Sequence, residues 1–525
     1  MNSPEFYSDL FRATLPETAL EIAALLVLVV DLGLLRKAAL NVRLGVAAAI
    51  GVLGCAASLW AISLQQGFGL YVDENLVLSN NRIAQSAQCG ILVLTAITLL
   101  LLFDSVFTKH VGEFVSVMLM SAAGGLFVAS AQDLLVIFVG LELLSLGLYI
   151  LTAFAKSSGK SAEAALKYYL FGGMSAAFLL FGFSYFYGLT GSTNLRVIQE
   201  AITKQGSSPL LYVAWVLVVA GLGFKVAVVP FHLWAPDTYE GAPAPAAAFI
   251  ASVSKVASFA LLLTFGMNWL TLVPGSTSGS VGLAIELTAV DQIWTKLAVL
   301  LLLIAAASMV VGNLAALAQT SVRRLLAYSA IAHAGYILLG ISVLPHYSMA
   351  IAELSQNFRK LISFSTSANA VLYYILTYGL TTIGAFGVVS VVERATGSDK
   401  LDSFLGLHKR NPLLAAVLLV LFLSLAGIPP LVGFWAKFNL FAAVLSVSAG
   451  PVPFALVCLA IAMSAVSLYY YLQVLKRAYV MPAPSGSEGP IKVHPVTLAV
   501  LVGIAALVVV LGCFPTLLAQ WIEGF

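Results

Sequence analysis

Residues 210–230 read LLYVAWVLVVAGLGFKVAVVP. An apolar run of about 20 residues crosses the hydrocarbon core of a bilayer as one helix. Two residues set this run apart from a simple span. Lys225 brings a charge to membrane depth, which costs roughly 2.5–3.5 kcal/mol on insertion scales. Pro230 removes a backbone donor and breaks the helix. The freed backbone groups then need partners, which membrane depth supplies only inside a protein-lined cavity. The stretch therefore predicts a membrane protein that holds a lysine beside an interrupted helix. Such a lysine suits proton movement, because burial disfavours its charged form.

The rest of the chain repeats the theme. Lys167, Lys255 and Lys437 also lie inside long apolar stretches, and so does Glu142. Of 525 residues, 61% are hydrophobic and only 9% charged, with mean hydropathy +1.00. That composition excludes a water-soluble core and predicts an all-α polytopic membrane protein. Cys55, Cys89, Cys458 and Cys513 are far apart and form no CxxC, which argues against a disulfide framework or an iron–sulfur site. The N-terminus, MNSPEFYSDLFRATLPE, has no basic region ahead of an apolar core, so the first span is expected to be retained.

About fourteen apolar runs are long enough to span. In order they are 17–35, 42–64, 84–103, 112–130, 133–153, 164–188, 210–230, 243–266, 293–317, 323–343, 369–392, 412–445, 453–476 and 495–521. The links between them divide into two alternating sets. One set holds fifteen basic residues, from Arg36 and Lys37 to Lys492, and the other holds seven, including Arg12, Arg82, Arg196, Arg359 and Lys360. The positive-inside rule puts the first set in the cytoplasm and both termini outside, in the inner (plasma) membrane of a cell.

Segments about 200 residues apart resemble each other. Ala165-Leu-Lys-Tyr-Tyr-Leu-Phe-Gly172 in span six pairs with Ala370-Val-Leu-Tyr-Tyr-Ile-Leu-Thr377 in span eleven. Gly147-Leu-Tyr-Ile-Leu151 pairs with Gly335-Tyr-Ile-Leu338, and the Lys225 stretch pairs with Gly433-Phe-Trp-Ala-Lys437. Spans four to eight thus match spans nine to thirteen. Five spans is an odd number, so the second copy is inverted, a transporter architecture with sites near the midplane. Span twelve is interrupted like span seven, at Gly427-Ile-Pro-Pro430. The organisation expected is three N-terminal spans in 1–110, repeats in 111–267 and 292–478, and a last span in 479–525.

Each buried ionisable residue has a plainer reading. Lys225 and Lys437 sit too deep in their spans to snorkel, and Lys255 lies among serines suited to a hydrated path. Glu142 is either a protonated, hydrogen-bonded carboxyl or, beside a lysine, half of a charge switch. Lys167 is near its span start, where snorkelling competes with function. His333 is either a proton relay or a satisfied core histidine. Asp133, Arg323 and Arg324 read as anchors at span ends, and residues 230–243 as a shaped polar loop. No metalloprotease, phosphate-loop, dinucleotide or haem-attachment motif is present, which leaves no cofactor for this chain.

Four motifs resemble the antiporter-like membrane subunits of respiratory complex I: PFHLWAPDTYEGAP (230–243), GLELLSLGLY (140–149), RRLLAYSAIAHAGY (323–336) and LAGIPPLVGFWAKF (425–438). The stretch ALKYYLFGGMSAAFLLFGFSYFYGLTGSTNL (165–195) looks most like the N-type family, and the resemblance covers about 15–520. M-type relatives have glutamate where this chain has Lys437, and L-type relatives continue into a lateral helix. The resemblance implies a relay of Glu142, Lys225, Lys255, His333 and Lys437, with Lys167 as a further member. It implies that NAD, FMN, iron–sulfur clusters and quinone belong to partner subunits, with M-type and K-type chains as neighbours. Some relatives carry glutamine at the position of His333. The link at 344–368, with Glu353, Arg359 and Lys360, looks longer than is usual in the family. A multisubunit cation/proton antiporter of the sodium type shares the fold and much of the lysine pattern, and only the span-six stretch favours complex I. A scaffold without transport is the third reading, and the buried charges argue against it.

Overall fold

A computed structural model describes residues 4–65, 68–72, 75–105, 107–206, 208–268, 282–343, 365–447, 450–483 and 489–524. The link with Glu353, Arg359 and Lys360 lies outside them. Among the described residues, twelve helices are long and apolar enough to cross a membrane. Spans one and twelve complete the fourteen. Span one is Leu15–Val29 followed by a π turn, Val30–Leu34, and span twelve is two shorter helices, Pro412–Ala426 and Val432–Val447. The chain is an all-α polytopic bundle.

Local chemistry starts these helices. Ser208, Asn411 and His494 each accept a bond from a backbone N–H of the first turn, and each is followed by proline at the first helical position. There the missing proline N–H costs nothing, and its fixed φ favours the helix. Three elements were not expected. An antiparallel hairpin, β1 (Gly69–Val72) and β2 (Asn75–Ser79), joins spans two and three. Helices Pro4–Ala13 and Leu195–Gln205 lie outside the spans. Residues 230–243 are also not simply a loop. After the break at Pro230 the chain resumes as the helix Trp234–Gly241, with Pro236 tolerated in its first turn.

The repeat is visible in hydrogen bonds. In the first copy, Leu134 N–H donates to Thr193 O (2.8 Å) and Leu195 N–H to Gln132 O (3.0 Å). In the second, Val322 N–H donates to Asp399 O (2.9 Å) and Leu401 N–H to Thr320 O (2.9 Å). Each pair latches the start of one span to the end of another. Asp133 and Ser321, the caps of spans five and ten, take matching places. Thr193 Oγ1 donates to Asp133, and Ser321 Oγ donates to Asp399. The latched segments read Thr190-Gly-Ser-Thr-Asn-Leu195 and Thr396-Gly-Ser-Asp-Lys-Leu401. One latch joins links 4–5 and 6–7, the other links 9–10 and 11–12, so they lie on opposite faces of the bundle, as inverted copies require.

Candidate functional site: a buried row of lysines at two helix breaks

The two breaks match at a constant offset of 200 residues. Helix Pro209–Val226 ends at Ala227 (φ 58°), with Ala227 N–H bonded to Phe224 O and Val228 N–H to Gly223 O. Helix Pro412–Ala426 ends at Gly427 (φ 87°), with Gly427 N–H bonded to Ser424 O and Ile428 N–H to Leu423 O. Both continue through a cis X–Pro bond, Val229–Pro230 and Pro429–Pro430. Each first half thus points unpaired carbonyls, the negative end of its dipole, into the protein interior.

Lysines answer these carbonyls. Lys255 Nζ donates to Val226 O (2.7 Å) and to Ala330 O of span ten (3.3 Å). Lys437 Nζ donates to Ala426 O (3.0 Å), to Leu425 O (3.2 Å) and to Ser464 Oγ (2.7 Å). This corrects the pairing of Lys225 with Lys437 read from the sequence. Lys225 precedes its left-handed residue by two positions, whereas Lys437 follows Gly427 by ten. Capping of the broken end, the role Lys437 plays in span twelve, falls in span seven to Lys255, which comes from span eight. The Gly-Phe and lysine spacing that suggested the pairing is a local likeness that does not follow the break.

Lys225 is buried (7% of its side chain exposed) and donates to Ser145 Oγ (2.6 Å). Glu142 Oε1 stands 3.6 Å from its Nζ. Glu142 shares one helical face with Leu135, Val139, Leu146 and Ile150, all exposed, and is itself 26% exposed. Lys255 follows a π turn, Ile250–Ser254, that interrupts span eight. Its acceptor Ala330 lies one turn before His333 on span ten. His333 is buried, with Nδ1 2.8 Å from Tyr374 Oη, and its ring meets those of Tyr336 and Tyr378. The Tyr336 ring also lies 5.4 Å beneath Lys437 Nζ, within the range of a cation–π contact. Lys225, Lys255, His333 and Lys437 therefore follow one another through the interior, with the partly exposed Glu142 at one end: Val226, beside Lys225, offers its carbonyl to Lys255, Lys255 also reaches Ala330 one turn from His333, and the Tyr336 ring lies between His333 and Lys437. Asn313 extends this succession, bonding Tyr336 Oη (3.1 Å) and Tyr470 Oη (3.1 Å).

Lys167 does not join this row. It pairs with Glu163 (2.7 Å) and Asp237 (2.8 Å) in an ion cluster. Arg324 binds Asp237 (2.6 Å) and Glu240 (3.1 Å), and Lys160 completes the set at 3.5 Å from Glu240. The span-six helix begins at Gly159, which leaves Lys167 near one end within reach of Asp237. Arg323 and Arg324 are likewise not simple anchors. Arg323 is buried, pairs with Glu393 (3.2 Å) and donates to Ala242 O.

Residues 131–464 match the sequence family described as NADH:quinone oxidoreductase/Mrp antiporter, transmembrane. The chain belongs to this family. NADH-quinone oxidoreductase subunit N 2 of Acidobacterium capsulatum is 46% identical over 535 aligned residues, covering 99% of this chain and 100% of the relative. Subunit N 1 of Roseiflexus castenholzii is 41% identical over 80% of this chain and 75% of the relative. Among solved structures, a chain of respiratory complex I from Thermus thermophilus with bound aureothin superposes with TM-score 0.73 and 33% identity, covering 96% of this chain and 98% of that one. A chain of the Mrp complex from Dietzia superposes with TM-score 0.75 at 18% identity, covering 97% of this chain and 96% of that one, a likeness of fold alone.

Proposed function

We propose that this chain is the N-type antiporter-like subunit of the membrane arm of a proton-translocating NADH–quinone oxidoreductase. The observation that carries the proposal is the row from Glu142 to Lys437, with Lys255 and Lys437 seated on the carbonyls of the two broken helices. A scaffold has no need of groups this costly to bury. The redox groups, NAD, FMN, iron–sulfur clusters and quinone, belong to partner subunits, and this chain carries none. Their reaction reaches it as a conformational or electrostatic pulse along the arm. The pulse moves Glu142 relative to Lys225. With the carboxylate near, the ammonium is held; with it withdrawn, the proton passes on. It moves through Lys255 and His333 to Lys437 and leaves on the outer face. Lys255 sits on the Val226 carbonyl and Lys437 on the Leu425 and Ala426 carbonyls, so each stands where a broken helix directs the negative end of its dipole. We assign Lys167 to uptake at the cytoplasmic end, through the cluster with Asp237 and Arg324.

The exposed stripe around Glu142 is the surface expected for a neighbouring membrane subunit, of M-type or K-type, because a carboxylate facing lipid is unfavourable. The second reading is a subunit of a multisubunit cation/proton antiporter, supported by the fold of the Mrp chain. The 46% and 33% identities to complex I chains, against 18% to the Mrp chain, favour the first. Purification of the tagged chain from its own membranes tests the choice. Co-elution with quinone-reducing NADH dehydrogenase activity supports it, and co-elution with sodium/proton exchange but no such activity overturns it.

A further inference from the structure

On the face that carries most of the basic links, spans eleven, twelve and fourteen end around a cleft of about 830 Å³. Its walls are Arg394 at the end of span eleven, Lys400, Asp402 and Arg410 from the 397–411 turn, and Lys492 from the link into span fourteen. The backbone holds turn and link together: Ile491 N–H donates to Arg410 O (3.2 Å), and Asn411 Nδ2 donates to Ile491 O (3.0 Å). Four of these side chains are cationic and one is acidic. Arg394 is partly used, pairing with Asp104 and donating to Lys492 O. Asp402 is 80% exposed and pairs outward with Arg477 (3.4 Å).

Arg410 is the unusual member. It is buried (8% exposed), yet among the described residues no carboxylate pairs with it. Its Nη1 donates only to Ser403 O (3.3 Å), and its buried Nε has no partner. A buried guanidinium without a counter-charge is unfavourable. Its planar fork of donors matches phosphate. The position of Arg410 at the start of span twelve points to the source of the phosphate. Arg410 stands two residues before Pro412, the start of span twelve, and Leu413, the next residue in, is 46% exposed. An anion at Arg410 is therefore at headgroup level, with apolar helix surface directly below for acyl chains.

We propose that this cleft binds the phosphate of an anionic phospholipid, with Arg410 as the buried contact and Lys400 and Lys492 as the rim. Such basic recesses at span ends recognise anionic headgroups, at about 1 kcal/mol per cation, or about fivefold in affinity.

The test uses the full chain in uncharged detergent, titrated with dihexanoyl phosphatidylglycerol, dihexanoyl phosphatidylcholine and inorganic phosphate. The glycerol lipid is expected to bind at least tenfold tighter than the choline lipid. Lys400→Gln and Lys492→Gln each weaken it about fivefold, Arg410→Gln abolishes the preference, and Lys156→Gln, on the same face outside the cleft, leaves it unchanged. If Arg410→Gln does not fold, the double variant of the two exposed lysines decides. An unchanged preference in that double variant overturns the proposal. Inorganic phosphate displacing the lipid at equal concentration overturns it too, by making the site one for the free ion.

Discussion

Lys225 touches two groups that differ in kind. Ser145 Oγ holds its Nζ in place at 2.6 Å, and Glu142 supplies charge from 3.6 Å on a partly exposed surface. Lys225→Ala removes the proposed relay group, so the complex is expected to assemble with reduced proton pumping. Lys225→Arg is expected not to restore it, because arginine stays protonated and cannot cycle. Glu142→Gln keeps the shape and removes the charge. If the two residues act as a pair, the double variant loses less than the sum of the singles, by more than about 0.5 kcal/mol when pumping rates are converted to barriers. Strictly additive losses would break the pair. The buried charges of this site were legible in the sequence because no apolar span keeps them without a use. Their hydroxyl partners, Ser145, Tyr374 and Ser464, were not, since nothing distinguishes them along the chain from serines and tyrosines that face lipid. The Tyr-Tyr match between spans six and eleven was the one signal that pointed to Tyr374.

The breaks are the elements that bring these side chains together. Their left-handed residues differ: glycine at 427, alanine at 227. A left-handed alanine costs roughly 1–2 kcal/mol. Ala227→Gly is therefore expected to stabilise the full chain by up to about 1 kcal/mol, after glycine's greater entropy loss on folding is set against it. Gly427→Ala is expected to destabilise it by at least about 1 kcal/mol. The added Cβ also stands 3.0 Å from Lys437 Cδ, crowding the lysine that caps this break. Unfolding in detergent measures both, and a reversed sign at either position contradicts the reading of the breaks. Sequence reading located the breaks by their prolines but put the second half of span seven in a loop, because Trp234–Gly241 is short, polar and contains Pro236. The latch segments escaped for a different reason. They repeat at an offset of 206 residues, against 200 for the breaks. The first copy carries the helix Leu195–Gln205 where the second has the short turns Leu401–Phe404 and Leu407–Arg410. That insertion shifts the register and hides the likeness.

At the scale of the whole molecule, the span count and the alternation of basic links follow from hydropathy and charge, and the repeat from segments of like sequence about 200 residues apart. Which residues cross the interior to meet one another does not, since Lys255 and Lys437 both reach carbonyls on distant segments. Orientation is open to direct test. With Cys458 and Cys513 replaced by serine, Ser8→Cys is expected to react with an impermeant maleimide from outside intact cells, and Lys156→Cys only after lysis. The opposite pattern would invert the direction of transfer. The central claim is that protons cross this chain along the row from Glu142 to Lys437, and Lys255 is its middle member. The most direct measurement is the number of protons translocated per electron by the assembled complex in sealed proteoliposomes, with Lys255→Met compared with the unaltered protein. The account predicts an assembled complex whose proton-to-electron ratio, or whose coupled turnover, falls sharply. An assembled Lys255→Met complex with both quantities unchanged would contradict it.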